Sequence, residues 1–401
     1  MKLTAGHLTY CTNIHAGENW ADHFNALKLS FPEIKQQLSP DAPMGIGLRL
    51  SNIASIELLE GDNLLQFKQW LQLYDAYVFT MNGFPYGGFH NVIVKDQVHA
   101  PDWTTGDRLA YTIRLFQILA VLLPDGMEGG ISTSPLSYRN WFNSEAALEA
   151  AKSAATKNIL QVAAELNIIK QKTGVKLHLD IEPEPDGILE TGKEFIEWFE
   201  QHLLPQGVTF FEKEYEIPAV ESQQLIRDHI NLCYDVCHFA IGYEPHELII
   251  NELAQKGIKV GKIQISAALK ATFDASHANK KAILTEFEKF NESTYLHQVI
   301  ARLADGELLR YPDLPDALTA TDDAHEWRAH FHVPVFLENF GLLQSTQADI
   351  IKVLDIQVQN PFTDHLEVET YTWGVLPDAL KIPLTQSIIR ELEWVKYKLT
   401  N

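Results

Sequence analysis

The sequence predicts an α/β fold, a parallel (β/α)8 or TIM barrel with a long insertion late in the barrel. Three observations lead there. Strand-like and helix-like segments alternate over most of the 401 residues, the pattern of a parallel sheet wrapped by helices. Several strand-like runs end in charged groups, and parallel barrels keep their active sites at the C-terminal ends of their strands. The length suits one decorated barrel of about 250 residues plus insertions, and no Ser/Gly-rich linker or fixed-period repeat divides it. The expectation is a single barrel domain over 1–401, with 270–329 inserted on the active-site side as a helix and a β-hairpin.

Candidate strands in chain order are His7–His15, Met44–Ser51, Ala76–Asn82, Gly130–Ser134, Val175–Glu182, Asn231–Cys237, Val260–Ala267, His330–Phe336 and His365–Thr372. An eight-stranded ring has one place too few, so either Val260–Ala267 or His330–Phe336 belongs to an excursion. The helices carry recognisable ends. Ser144 precedes a long run with Leu148, Ala151, Ala155, Ile159, Val162, Leu166 and Ile169 at helical spacing, and Gly174 follows its basic last turn. Thr191 with Glu194 forms a capping box before Phe195, Trp198 and Phe199. A closing helix runs from Thr385 to Leu399 with one apolar face. Between Leu269 and Ala329 the rhythm breaks. A helical piece lies near Asn279–Phe290, and Asp305-Gly306 between two apolar runs signals a hairpin.

Composition narrows the partners. The net charge of −21, from 53 acidic and 32 basic residues, repels phosphate backbones, so no nucleic-acid partner is expected. The three cysteines, Cys11, Cys233 and Cys237, form no disulfide pattern and read as buried thiols of a reducing compartment. The start, Met1 to His7, lacks the apolar core of a signal peptide, and the run Phe116–Leu123 is too short to span a bilayer. A cytoplasmic protein with no membrane segment is the expectation. Gly45 and Gly47 lack the third glycine of a dinucleotide fingerprint, and a strand continues through them.

Alternation of side chains along strands selects what faces the lumen. His178, Asp180 and Glu182 share one face while Leu177, Leu179 and Ile181 share the other. Asn231, Cys233 and Asp235 share a face, as do Lys262, Gln264 and Ser266, and Glu367, Glu369, Tyr371 and Trp373. Four strands sending polar groups to one lumen is expensive unless those groups bind a metal, a ligand or each other. Read as a metal site, Glu182, Asp235, His238 and Glu369 supply oxygen and nitrogen ligands, with Gln264 or His332 as a further neighbour. Such a set suits a divalent Zn, Mn or Mg ion. The competing reading is a buried ion-pair lattice in which Lys262 and Arg49 neutralise the acids. Thr80-Met-Asn-Gly-Phe-Pro-Tyr-Gly-Gly-Phe-His90 reads as a shaped loop whose Asn82, Tyr86 and His90 meet a polyol or a metal, or as a self-packed turn. His15 and Arg49 fall at the rim, where Arg49 would hold a carboxylate or phosphate. With Lys262 in the lumen, these complete the candidate substrate contacts.

The segment Asp235-Val-Cys-His238 resembles the Asp-x-Cys-His strand of the endonuclease IV family, and Glu182 and Glu369 sit where the xylose isomerase-like TIM barrel superfamily keeps its glutamates. Across most of the chain the sequence is similar to the Ebo-cluster metabolite traffic proteins (EboE). This likeness rests on Tyr10-Cys-Thr-Asn-Ile-His15, Asn82-Gly-Phe-Pro-Tyr-Gly87, Ile131-Ser-Thr-Ser-Pro135, Glu182-Pro-Glu-Pro185, Asp235-Val-Cys-His238, His330-Phe-His-Val-Pro334 and Glu367-Val-Glu-Thr-Tyr371. The superfamily resemblance implies Glu182 and Glu369 as catalytic groups moving a proton beside a carbonyl, and a metal held with Asp235 and His238. It also implies a metal-binding histidine on the seventh strand, where Lys262-Ile-Gln-Ile-Ser266 offers Gln264 instead, unless His330 or His332 substitutes. The expectation is a metal-dependent isomerase or epimerase acting on a small polar metabolite. Its rivals are a non-catalytic binding or handover protein, which the Gln264 departure favours, and an abasic-site endonuclease, which the acidic charge disfavours.

Overall fold

A computed structural model describes residues 1–90, 92–273, 277–321 and 323–400. Its main sheet has nine strands, and all but the short Lys2–Leu3 run parallel. In ring order they are Gly6–Tyr10, His365–Val368, Val260–Ile265, Ile230–Asp235, Leu177–Ile181, Gly129–Thr133, Ala76–Asn82 and Met44–Arg49. Val260–Ile265 is therefore the seventh barrel strand, and His330 and His332 lie on Glu326–His332 outside the ring.

The ring closes between Gly6–Tyr10 and Met44–Arg49 without a full ladder. One parallel bridge, Cys11 to Gly47, spans the seam. Threonine hydroxyls supply the rest. Thr9 Oγ1 donates to Gly45 O at 2.9 Å and accepts from Gly47 N–H at 3.0 Å, and Thr12 Oγ1 accepts from Arg49 N–H at 2.8 Å. Backbone groups that would otherwise be buried unpaired are satisfied this way.

The expected capping holds. Ser144 accepts from Ala147 N–H at the start of helix Glu145–Thr173, and Gly174 ends it in the left-handed conformation. Thr191 and Glu194 make both bonds of the capping box. Leu177, Leu179 and Ile181 pack outward into the helical layer, while His178, Asp180 and Glu182 face the lumen.

The lumen is filled by polar layers facing glycines. A Cβ on Gly261 would sit 1.9 Å from Asp180 Oδ1, and one on Gly47 would sit 1.8 Å from Glu367 Oε1. Only glycine leaves room for these carboxylates.

Between the seventh and eighth barrel strands the chain leaves the ring to build a six-stranded antiparallel sheet, in the order Leu308–Tyr311, Val299–Arg302, Glu326–His332, Ala268–Thr272, Leu343–Ser345 and Asn339–Phe340. Gly306 turns its hairpin with a φ of +92°. The excursion thus runs beyond 270–329 at both ends, because Ala268–Thr272 leads it out and Leu343–Ser345 brings it back. Helix Gln347–Gln359 then restores the barrel rhythm. Among the described residues no helix is long and apolar enough to cross a membrane.

Candidate metal centre

Three carboxylates meet at the C-terminal mouth of the barrel. Glu182 and Glu369 each extend a strand by one residue, held by bonds from their own N–H groups to Thr133 O at 2.9 Å and Ile265 O at 3.0 Å. Asp235 ends the sixth strand and caps helix Val236–Ile241, accepting from His238 N–H at 3.1 Å. That cap places His238 in the first helical turn. Ser266 Oγ also donates to Asp235 Oδ1 at 2.7 Å, which leaves Oδ2 free.

Oxygens of Glu182, Asp235 and Glu369 lie within 4.8 Å of one another, all buried. Glu369 Oε1 accepts from Asn13 at 2.6 Å and Asn82 at 2.9 Å. Glu182 Oε2 and Asp235 Oδ2 are buried with no hydrogen-bond partner. Burial, then the neighbouring charges, raise the pKa of both Glu182 and Glu369 above the usual carboxylate range.

The expected neutralising cations are committed elsewhere. Lys262 Nζ pairs with Glu367 Oε2 at 2.6 Å in the layer below, both side chains fully buried. Burial lowers the Lys262 pKa, but Glu367 and nearby thiols outweigh it, so the net shift is upward. Arg49 reaches Glu18 at 3.4 Å and the Gly87 carbonyl at 2.5 Å. Among the described residues, no Lys or Arg nitrogen comes within 4.0 Å of the three carboxylates, and ring nitrogens do: His238 Nδ1 at 3.8 Å from Glu182 and 4.0 Å from Asp235, and His332 Nδ1 at 4.0 Å from Glu369.

The inserted sheet brings in more nitrogen donors. Ligand atoms of Asp235, His238 and His332 lie within 4.8 Å of one another, as do those of Cys237, His330 and His332. Burial lowers His332 to about 4, against a smaller opposing effect of Asp235, and drives His330 well below the ordinary histidine value. Burial thus favours the uncharged form of both rings. Gln264 lies in register with Asp235 and Glu367, its amide buried without a partner.

A cavity of about 580 Å3, mouth included, opens onto this centre. Asn82, Glu182, His238, His332 and Glu369 line it. The other candidate substrate contacts are engaged away from it. His15 meets Tyr10 OH at 3.1 Å and Ser30 Oγ at 3.3 Å. Tyr86 packs edge-on against Tyr111, and His90 Nε2 lies 2.5 Å from Asn13 O.

Several cavity residues have no counterpart among the sequence candidates. His99 Nε2 lies 3.1 Å from Glu184 Oε1, both buried in the wall, and Asn13 and Gln298 line it too. Glu184 carried a signal, repeating Glu182 two residues on in Glu-Pro-Glu-Pro. His99 and Gln298 carried none, since long-range packing alone delivers them.

Comparison with known proteins bears on this geometry at the level of fold. No protein-family model matches the chain, and no curated protein matches it. Solved structures do. A xylose isomerase-like TIM barrel protein from Mycobacterium smegmatis in complex with magnesium aligns over 99% of this chain and 97% of its own, with 9% identity and a TM-score of 0.51. The IOLI protein with a bound zinc atom aligns over 98% and 97%, with 14% identity and a TM-score of 0.49. A D-tagatose 3-epimerase-like protein aligns over 98% and 97%, with 10% identity and a TM-score of 0.45. The chain has the xylose isomerase-like TIM barrel fold.

Proposed function

We propose that this protein is a metal-dependent isomerase or epimerase acting on a small polar, sugar-like metabolite. One observation carries the reading: Glu182, Asp235 and Glu369 converge at the barrel mouth with no Lys or Arg partner among the described residues, and two of their oxygens are buried and unpaired. Unpartnered buried carboxylates are costly, and a divalent cation removes that cost. In this reading the three carboxylates hold the ion, and His238 and His332 stand on the Asp235 side as nitrogen donors. His332, arriving from the inserted sheet, stands in for the imidazole that Gln264 replaces. The magnesium complex of the Mycobacterium smegmatis barrel agrees with a divalent ion on this scaffold. Bound there, a divalent ion would polarise substrate oxygens.

The protein's own groups do the rest. Glu182, with Oε2 unpaired, takes a proton from the carbon beside a carbonyl and returns it. Glu369 is oriented through Oε1 by Asn13 and Asn82, leaving Oε2 for the ion or the second proton. The sequence resemblance to the Ebo-cluster proteins supports a substrate among precursors in metabolite traffic.

The test is solvent-deuterium exchange into a panel of aldoses, ketoses and their phosphates, read by NMR on metal-loaded protein. Glu182→Gln should abolish exchange while leaving the circular dichroism spectrum unchanged; full retained turnover would sink the assignment. The unpartnered Gln264 favours one rival, a metabolite handover protein on the same barrel. Tight binding of a metabolite without conversion would establish it instead.

A further inference from the structure

The cavity over the carboxylate centre has two unlike halves. One is the polar mouth of the barrel. The other is an apolar wall of Phe89, Val94, Val98, Tyr295 and Tyr371, which pack as one cluster and all line the cavity. The rings of Phe89, Tyr295 and Tyr371 lie 5.0 to 5.3 Å apart, centroid to centroid. Tyr371 also meets the His332 ring at 4.6 Å, so the wall begins where the polar half ends.

Three segments build this wall. Phe89, Val94 and Val98 follow strand Ala76–Asn82, Tyr295 lies in the excursion, and Tyr371 follows the eighth barrel strand. Backbone bonds tie the first two together: Thr294 O accepts from the N–H groups of Val94 at 2.7 Å and Lys95 at 3.0 Å. Tyr295 OH donates to Phe89 O at 3.0 Å. That bond commits the Tyr295 hydroxyl to the backbone and leaves its ring as apolar surface.

Such a wall matches a bare sugar poorly. A sugar carries a hydroxyl on nearly every carbon, and a hydroxyl laid against Val94 or Val98 loses its bonds to water with no replacement. An apolar group in the same place gains by leaving water.

Charge points the same way. Among the described residues, Lys95 is the one Lys or Arg lining the cavity, and its Nζ is held by Asp313 Oδ2 at 2.7 Å. Asp313 Oδ1 is fixed in turn by the N–H groups of His297 and Leu314, each at 3.0 Å. Arg49, expected to grip a carboxylate or phosphate, is engaged by Glu18 and the Gly87 carbonyl. Glu182, Glu184 and Glu369 line the cavity, and an ion at the centre would balance the carboxylates that hold it. A phosphate would enter with no free Lys or Arg to receive it.

We propose that the substrate is an uncharged, two-part metabolite. Its hydroxyl- and carbonyl-bearing end sits on the carboxylate centre, and an apolar ring or branched chain attached to that end lies on the wall of Phe89, Tyr295 and Tyr371. The assignment rests on the isomerase reading above and narrows its substrate class, setting aside free sugars and sugar phosphates.

The experiment compares three matched ketoses on the full chain loaded with magnesium: D-fructose, D-fructose 6-phosphate and 6-O-benzyl-D-fructose. They differ in one substituent, a hydroxyl, a phosphate or an apolar ring. Affinity is read by isothermal titration calorimetry, and proton exchange by NMR in deuterated water. The benzyl ether should bind at least about tenfold tighter than fructose, and the phosphate no tighter than fructose. Val98 is half-buried at the edge of the wall, so Val98→Lys sets a cation there without emptying the core. It should move the benzyl-to-phosphate affinity ratio about tenfold or more toward the phosphate.

Equal affinities for all three, or tightest binding of the phosphate, overturns the proposal, and proton exchange in any of them then leaves the isomerase reading standing. Preference for the benzyl ether with no exchange in any of the three supports the substrate class and sinks the isomerase reading in favour of a handover protein. Binding of none overturns both. An unchanged affinity ratio in Val98→Lys overturns the placement of the apolar group on this wall.

Discussion

Removing the Lys262 side chain tests how the barrel lumen is held together. Lys262 Nζ and Glu367 Oε2 stand 2.6 Å apart with both side chains fully buried. At an effective dielectric of about 20, their attraction is about 6 kcal/mol. Desolvation of the two ions offsets most of it, at several kcal/mol each, so the pair as a whole adds little net stability. Breaking one side is different. In Lys262→Met the Glu367 carboxylate keeps its burial and loses its cation, and its Oε1, packed against Gly47, already has no partner.

The expected loss is about 3–5 kcal/mol, read as a lower urea midpoint by circular dichroism at unchanged m-value. The double variant Lys262→Met/Glu367→Gln should recover most of that loss, since no uncompensated charge is left. A wild-type midpoint in Lys262→Met would refute the reasoning. A double variant as unstable as the single one would assign the loss to packing and not to the stranded charge. Lys262 does not line the cavity, so the double variant should also keep its metal and ligand binding.

Three further predictions follow from the same geometry. Asp235→Asn should lose the carboxylate-centre ion in elemental analysis, yet in chelator it should melt at a higher temperature than the wild type, because one of three crowded like charges is gone. Burial raises the Glu391 pKa to about 7, against opposing hydrogen bonds from Thr370 and the Val335 N–H. Folded protein therefore binds more protons there than unfolded protein, and this contribution to stability is full below the ordinary glutamate value and lost as pH rises through about 7. Glu391→Gln should match the wild type near pH 4.5 and exceed it by on the order of 2–3 kcal/mol at about pH 8 in urea unfolding. Thr9→Val should strand the Gly47 N–H and the Gly45 carbonyl at the closing seam. It should cost about 2–4 kcal/mol in thermal unfolding and speed hydrogen exchange at the Gly47 amide.

The centre on which these predictions turn is assembled from two sources. Glu182, Asp235 and Glu369 come from the barrel itself, at the ends of three of its strands. His330, His332 and Gln298 come from the inserted sheet and arrive over the mouth. This division explains why the barrel half of the site was readable from alternation, while the inserted half was legible only as the pair His330 and His332 with no place in the fold assigned to it.

Alternation in Val175–Glu182 was enough to send His178, Asp180 and Glu182 inward, because side-chain direction along a strand is set by backbone geometry alone. Local signals likewise placed the caps at Ser144 and Thr191, the stop at Gly174 and the turn at Gly306, since each needs only neighbouring residues. Tertiary structure decided everything that depends on pairing across long separations. It chose Val260–Ile265 over Glu326–His332 for the ring, because only the former finds parallel partners on both sides. It sent Arg49 to Glu18 and Lys262 to Glu367, so that no Lys or Arg among the described residues neutralises the mouth. It turned three histidines, far apart in sequence or two residues apart on an irregular strand, so that each Nδ1 met a carbonyl oxygen. Composition and periodicity carry no information on such contacts. They arise only when the inserted sheet packs over the barrel and each buried polar atom must find a partner or remain without one.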